Sequence, residues 1–492
     1  MGKYKINRSS KKNAKAKKPL LNKWVKFSIA MILYLAFLYW LESWLGLIVV
    51  PFIFDYYITQ KIKWTWWKDL ENSVARTIMS WVDAIVFALV AVYFVNNFFF
   101  QNYQIPTSSL EKSLLVGDFL LVSKVSYGPR IPMTPLTMPL TQHTINLPAI
   151  QVKSYIEWPQ WEYRRAKGFG DVQLNDIVVF NYPAGDTLAV NDQYYYRLAY
   201  LYGAEIEKSK GKTPAKMSSL SAEEQMKQYR RLFNEGDRYL RATPQQHGEV
   251  ITRPVDRREN YVKRCVGMPG DTLQIKDKVI YLNGKANKQP DNVQFNYRLY
   301  IRENHSIDID FCQSIGISHD DIMGNSMYGY LPLTDEMVKQ LRKQVLWVDA
   351  VEPVPAQKGE MLYPLNRDYG WTADNYGPIW IPAKGETVKL TMENVAIYER
   401  PICAYEGNTL DIKDGKIFIN GKEEDSYTFK MDYYWMMGDN RHCSEDSRYW
   451  GFVPEDHVVG KPIFVWLSIN KDKSGLGAVR WDRLFKMVDD IK

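Results

Sequence analysis

Residues 104–128 read QIPTSSLEKSLLVGDFLLVSKVSYG, a hydroxyl-rich segment that gives way at Gly117-Asp118 to an apolar run closed by Gly128. DFLLVSKVSYG has the composition of a strand bounded by turn residues. Similar runs recur down the chain as DIVVFNYPAG (176–185), YVKRCVG (261–267), KVIYLNGK (278–285), KIFINGK (416–422) and PIFVWLS (462–468). Each ends at Gly, Pro or Asn or runs into a polar residue, so the part of the chain after residue 100 is expected to be mainly antiparallel β structure. Between the strands, 203–243 reads as a charged helix, with Ser218 or Ser221 as its cap ahead of the acids. Residues 285–400 mix Pro, Tyr and charged residues and read as an insertion with strands of its own.

Immediately upstream lies MSWVDAIVFALVAVYFVNNFFF (79–100), which carries one acid, Asp83. About 20 apolar residues suffice to cross a bilayer, and aromatic residues crowd the far end as at an interface. The earlier apolar stretch 27–58 is long for one span and has Glu42 and Ser43 in its middle. Both the tail 1–26 and the loop 59–78 are basic, and basic loops stay in the cytoplasm. Two short helices meeting near Glu42 satisfy that rule; the competing reading is one tilted helix with its N-terminus outside. With 59–78 inside, 79–100 runs outward and everything after Phe100 lies on the exported side.

The net charge of +7 hides a strong asymmetry. Residues 1–26 hold ten Lys/Arg and no acid, so the rest of the chain sums to about −3. The basic charge is a lipid-facing flank and not a nucleic-acid surface. Cys265, Cys312, Cys403 and Cys443 lack C-x-x-C spacing, and the six histidines form no ligand pattern, so neither metal nor cofactor is expected. One disulfide is compatible with export, without a choice of pair.

GDTLQIKDKVIYLNGK (270–285) and GNTLDIKDGKIFINGK (407–422) match at most positions with a constant offset. Both read as β-hairpins turning at Asp277 or Asp414-Gly415, with Asn-Gly closing the second strand. A reused structural hairpin is the favoured reading over a duplicated binding element.

Four segments, in order, resemble the boxes of the type I signal peptidases. QIPTSSLEKSLLVGD is similar to the family's nucleophile box, with Leu110 and Ser113 in place of the usual Met and Thr. YVKRCVGMPGD (261–271) is similar to its lysine box. NDIVVFNYP (175–183) resembles the strand before it, and MGDNRHCSEDSRYWGFVP (437–454) the last box, except that His442-Cys443 replaces the usual Asp-Asn. The resemblance implies N-terminal transmembrane helices followed by a mainly antiparallel β catalytic domain with α+β insertions. It implies Ser109 as nucleophile, Lys263 as general base, Thr107 as an oxyanion-binding hydroxyl and Ser444 as a partner that orients the lysine amine. Ile105 and Val262 become candidate walls of the substrate pocket. Asp439, Arg441, Asp446 and Arg448 are expected to brace the site by ion pairs, and His442 to stay outside it. The implied partners are signal peptides of exported preproteins and the lipid bilayer, with cleavage after small-x-small sites, at the bacterial inner membrane with the catalytic domain on the periplasmic side.

These residue types suit the chemistry. A serine hydroxyl needs a neighbour to take its proton. Lysine does so only when neutral, which burial promotes by disfavouring the ammonium. Adjacent side chains of a strand point to opposite faces, so Lys263 is expected inside and Arg264 outside. Taken singly, Ser109 is an ordinary turn serine and Lys263 an ordinary edge lysine; their place in four ordered motifs behind a membrane segment sets them apart. The expected layout is a tail at 1–26, membrane segments at 27–58 and 79–100 around the loop 59–78, and a peptidase domain of 101–284 and 401–492. Insertions are expected at about 184–260 and 285–400. A self-cleaving repressor also uses Ser and Lys but needs a DNA-binding domain and no anchor. A tethered binding protein on an inactive peptidase fold is the rival from another class, and the intact Ser109, Lys263 and Ser444 weigh against it.

Overall fold

The computed structural model describes residues 22–147, 150–185, 188–189, 194–356 and 360–491, so most of the basic tail 1–26 lies outside the described residues. The chain divides into two units, residues 1–89 and 90–492.

In the first unit, helix α1 (Lys23–Trp40) starts at Asn22, whose side chain accepts the Trp24 N–H. It stops before Glu42, which takes a left-handed backbone with φ 51°. A second helical run then covers Trp44–Thr59. Gly46 permits the tight return: a Cβ there would lie 2.1 Å from Leu38 Cδ2, and Tyr34 donates to the Gly46 carbonyl at 2.7 Å. Asp55 ties off the far end, accepting from the Thr59 hydroxyl, the N–H groups of Lys61 (2.9 Å) and Ile62 (3.1 Å), and the Trp64 indole (3.0 Å).

Helix α2 (Ser73–Phe98) begins earlier than hydropathy alone suggested, because the Asn72 side chain accepts the N–H groups of Val74 and Ala75 and caps it. Both α1 and α2 are long and apolar enough to cross a membrane.

The second unit is built on one antiparallel sheet. Its strands are β1 (Phe100–Gln104), β2 (Asp118–Ser123), β3 (Ile177–Asn181), β4 (Asn260–Gly267), β5 (Tyr433–Met437), β6 (Val453–Pro454) and β7 (Val458–Ser468). They lie in the order β1-β2-β7-β3-β4-β5-β6, and Lys486–Met487 pairs with β7 as well. Long β7 serves β2 along one stretch and β3 along another, with a register shift between Val458 and Gly460. Gly460 allows the close approach there, since a Cβ would sit 2.4 Å from the Ser123 carbonyl oxygen.

A second apolar core collects the two sequence-related hairpins. Leu273, Ile275, Ile280 and Leu282 of the first, and Leu410, Ile412, Ile417 and Ile419 of the second, pack into one cluster with Trp435 and Phe452. Both turn through two residues of positive φ, Asp277-Lys278 (45° and 73°) and Asp414-Gly415 (50° and 73°), as a two-residue type I′ hairpin requires. Asn283 and Asn420 repeat each other's role, accepting the N–H of Thr272 (2.8 Å) and Thr409 (2.9 Å). Both copies are core-forming structural hairpins.

The charged helix read across 203–243 is two antiparallel helices, α3 (Tyr195–Ser209) and α4 (Ala222–Ala242). Gly203 faces Leu232 and Gly236 faces Ala199, where any Cβ would come within 1.8 Å of a carbonyl oxygen, so the backbones meet directly. Ser221 is the cap, in a reciprocal capping box with Glu224. The stretch 285–400 also divides. Strands Phe295–Ile301, Leu331–Leu333 and Val348–Pro353 form a sheet with their own core around Leu299, Leu341 and Trp347. Strand Tyr376–Trp380 instead pairs with Thr272–Lys276, and Ile381, Leu390 and Ile397 join the hairpin core.

Candidate active site

Ser109 sits on a 3-10 turn, Ser108–Leu110, a few residues beyond β1. Three hydrogen bonds fold this turn: Glu111 N–H to the Ser108 carbonyl (3.0 Å), and Ser113 (3.0 Å) and Leu114 (2.7 Å) N–H to that of Leu110. Gly117, at φ +90°, then lets the chain reverse: its N–H donates to the Ile105 carbonyl at 3.0 Å, and the Ile105 N–H to Asp118 at 2.9 Å. Asp118 is fixed from below by Arg483, at 3.1 and 2.5 Å.

Lys263 reaches this turn from the middle of β4, where it pairs opposite Val178. Its amine donates to Ser109 Oγ at 2.6 Å, and both residues are buried, with 3% and 8% of their surface exposed. The pKa of Lys263 is pushed down to about 8 by burial, against the opposing pull of Asp446, Asp439 and Glu445. A neutral amine in contact with a serine hydroxyl is therefore accessible near neutral pH.

The loop after β5 holds the turn from the other side. Asn440 N–H donates to the Ser109 carbonyl at 3.1 Å, and its side-chain amide to that of Ser108 at 3.4 Å. Gly438 is forced to be glycine: a Cβ would lie 2.2 Å from Ser444 Oγ and 2.6 Å from the Ser109 carbonyl oxygen. Asp446 accepts the Gly438 N–H at 3.1 Å and is clasped by Arg448 at 2.9 and 2.8 Å. Asp439 is clasped by Arg264 at 2.8 and 2.7 Å and takes the Ser113 hydroxyl at 2.6 Å. These partners hold the Asp439 carboxyl below the usual carboxylate range, despite its burial.

Two expectations need correction. Arg264 does face away from Lys263, but it is buried, because β4 lies in the interior of the sheet and its second face covers Asp439 and Ser113. Arg441 makes no ion pair among the described residues. Its guanidinium donates to the Gly438 carbonyl (3.0 Å) and to Gln289 (2.6 Å), and burial among neutral acceptors brings its pKa down to about 10.

Ser444 is buried beside Gly438, and its hydroxyl donates to the Glu445 carbonyl at 3.4 Å. Thr107, two residues before Ser109, is exposed. Ile105 is buried in an apolar cluster with Leu110 and Val179, and the half-exposed Val262 packs against that cluster. His442 is occupied elsewhere: Nδ1 accepts the Asn296 N–H at 3.2 Å and Nε2 lies 2.7 Å from Asp374. Together with Gln294, whose N–H donates to the Asp439 carbonyl and whose carbonyl accepts the Arg441 N–H, it ties the insertion to the loop after β5. All four cysteines are free thiols. No cluster that could hold a metal ion occurs among the described residues.

The sequence matches the family described as "Signal peptidase, peptidase S26" over residues 78–212, 211–320 and 385–467, more than half of the chain. The chain belongs to the signal peptidase S26 family. Curated S26 relatives agree. Signal peptidase I of Buchnera aphidicola subsp. Acyrthosiphon pisum is 22% identical over 390 residues, 78% of this chain and 74% of that one. Signal peptidase I of Haemophilus influenzae is 43% identical over 56 residues, 11% of this chain and 16% of that one. The Helicobacter pylori J99 enzyme of that name is 33% identical over 99 residues, 18% and 34% of the two chains. This S26 protein is accordingly a hydrolase, a serine endopeptidase of the signal peptidase I type. Segment 321–384, which holds most of the small insertion core, lies between the matched regions.

Proposed function

We propose that this S26 peptidase removes signal peptides from exported preproteins with Ser109 as nucleophile and Lys263 as general base. The observation that carries the reading is the 2.6 Å contact between the Lys263 amine and Ser109 Oγ, at a lysine whose pKa burial brings to about 8. Neutral Lys263 takes the hydroxyl proton as Oγ attacks the scissile carbonyl carbon. The ammonium so formed protonates the departing amine, leaving an acyl-enzyme on Ser109. Lys263, neutral again, then deprotonates the water that hydrolyses the ester. Thr107, exposed beside the nucleophile, is the candidate side-chain donor to the oxyanion.

Ser444, buried against Gly438, which also abuts the Ser109 carbonyl, is assigned a positioning role for the amine. Asp439, Asp446 and Arg448 keep the loop in place through buried ion pairs, and Arg441 does so through Gly438. Val262 offers the substrate-facing apolar wall, with Ile105 supporting it from behind, which suits small side chains in a small-x-small site. The basic tail and basic loop support a reading in which α2 runs outward across a bacterial inner membrane, with the second unit on the periplasmic side. Only a five-residue strand and a short turn separate the end of α2 from Ser109, so cleavage takes place close to the bilayer surface.

The test uses purified full-length protein and a peptide carrying a small-x-small site. Ser109→Ala and Lys263→Ala are each expected to lower kcat/KM by about 10³-fold or more while folding is retained. Undiminished turnover in either variant overturns the assignment.

A further inference from the structure

A second lysine, half-buried, has no part in this chemistry. Lys124 follows β2 and lines a cavity of about 420 Å³ bounded by the last turns of α2 (Tyr93, Asn96, Asn97) and by β1. Arg130 and Arg257 line it too, against a single carboxylate, Asp256. That carboxylate is already engaged: it accepts the Thr134 N–H at 2.9 Å and hydroxyl at 2.8 Å and pairs with Arg257 at 3.3 Å. Arg130 spends its guanidinium on neutral acceptors, Asn181 (2.6 Å) and the Asp456 carbonyl (2.5 Å). Among the described residues no group hydrogen-bonds the Lys124 amine, and the buried Nε–H of Arg257 also lacks an acceptor.

Three cations and one neutralised acid leave the cavity short of negative charge and of acceptors. Much of the remaining lining is side-chain amide and hydroxyl, which suits a polar ligand.

We propose that this cavity binds a phosphate group, carried by the headgroup of a membrane lipid. Phosphate oxygens supply the acceptors that Lys124 and Arg257 lack, and ion pairing of this kind is charge-assisted. The lipid source follows from position. On the reading of α2 as an outward-running anchor, its last turns lie where headgroups begin, and the cavity opens beside them. The volume exceeds what a bare phosphate needs and accommodates the glycerol attached to it. Burial and the neighbouring arginines depress the Lys124 pKa to about 7, and an anion bound beside it would favour the ammonium again. The consequence for the peptidase is positional. Tyr103 and Gln104, at the end of β1 that leads into the Ser109 turn, line the same cavity, so a bound headgroup would fix the height of that turn above the membrane.

The experiment uses the full chain in dodecyl maltoside, with phosphatidylglycerol, a diacylglycerol of the same acyl chains, or inorganic phosphate added. Phosphatidylglycerol should raise the unfolding midpoint, and diacylglycerol should not. At ten times the Kd it should slow reductive methylation of Lys124 about tenfold, as the free site is depleted. Lys124→Gln should lose the rise in midpoint. Since no partner is removed, this variant should fold and should cleave peptide at the wild-type rate in lipid-free detergent, which keeps failure here separate from failure of the peptidase reading. A rise with inorganic phosphate and none with the lipid would leave a phosphate site but overturn the lipid as its source. No rise and no protection with either overturns the proposal.

Discussion

Lys263 and Lys124 make an instructive pair. Lys263 is buried on a strand of the sheet and Lys124 is half-buried just after one, and desolvation lowers both, to about 8 and about 7. Their surroundings differ in sign. Around Lys263 the charged neighbours that act on it are carboxylates, Asp446, Asp439 and Glu445, while the contact partner is a neutral hydroxyl. Around Lys124 the neighbours are chiefly arginines, with Asp256 alone opposing them, and the amine faces a polar cavity. Burial by itself makes a lysine easy to deprotonate; the neighbour decides what the neutral amine is for. Beside a hydroxyl it can serve as a base, and beside arginines and a cavity it can take up a proton when an anion enters.

That contrast can be broken in graded ways. The largest expected effect is on turnover: Lys263→Met should cost about 10³-fold or more in kcat/KM, whereas Lys124→Met should stay within about twofold in lipid-free detergent. Equal losses in the peptide assay would remove the distinction. Next, Gly438→Ala places a methyl group against Ser444 Oγ and the Ser109 carbonyl, displacing the nucleophile without touching either lysine. A loss of roughly 10²-fold in kcat is expected, as for a misplacement of about 1 Å. An unchanged kcat would show that the loop after β5 does not set the geometry.

A smaller effect concerns pH. Because the base must be neutral, kcat/KM should rise with pH and level off near 8. Glu445 raises the Lys263 pKa, so Glu445→Gln should move that limb to lower pH by a fraction of a unit. A shift to higher pH would contradict the carboxylate's role. The stability counterpart has a definite sign. The folded amine loses its proton near 8 and the unfolded one near ~10.4, so the unfolded chain binds more protons between them and stability should rise with pH across that window. Denaturant titration of wild type against Lys263→Met checks this, since the slope should flatten in the variant.

How much of this was legible depends on the range of the interaction. Local geometry is written in neighbouring residues. The I′ turn of the second hairpin follows from Asp414-Gly415, the turn after each second strand from Asn-Gly, the capping box of α4 from Ser221 and Glu224, and the break near residue 42 from a charge inside an apolar stretch. The single helix read at 203–243 is interrupted at residues 210–221, which hold Gly211 at φ 75° and Pro214, while Gly203 and Gly236 let the two helices touch. The start of α2 was missed for a related reason: Asn72 is a cap, and hydropathy does not register caps.

The amino-acid sequence by itself determined the family, the order of the motifs and the identity of the two residues offered for catalysis, because short motifs and apolar spans are contiguous. Only the tertiary structure decided that Lys263 meets Ser109 at 2.6 Å, that Arg264 is buried against Asp439, and that Arg441 braces a carbonyl and an amide instead of a carboxylate. It alone joins part of residues 285–400 to the hairpin core and gathers Lys124, Arg130 and Arg257 around one cavity. The physical reason is common to all of these. Burial and partner choice are properties of packing between segments far apart in the chain, and no local pattern of residues encodes which of them will meet.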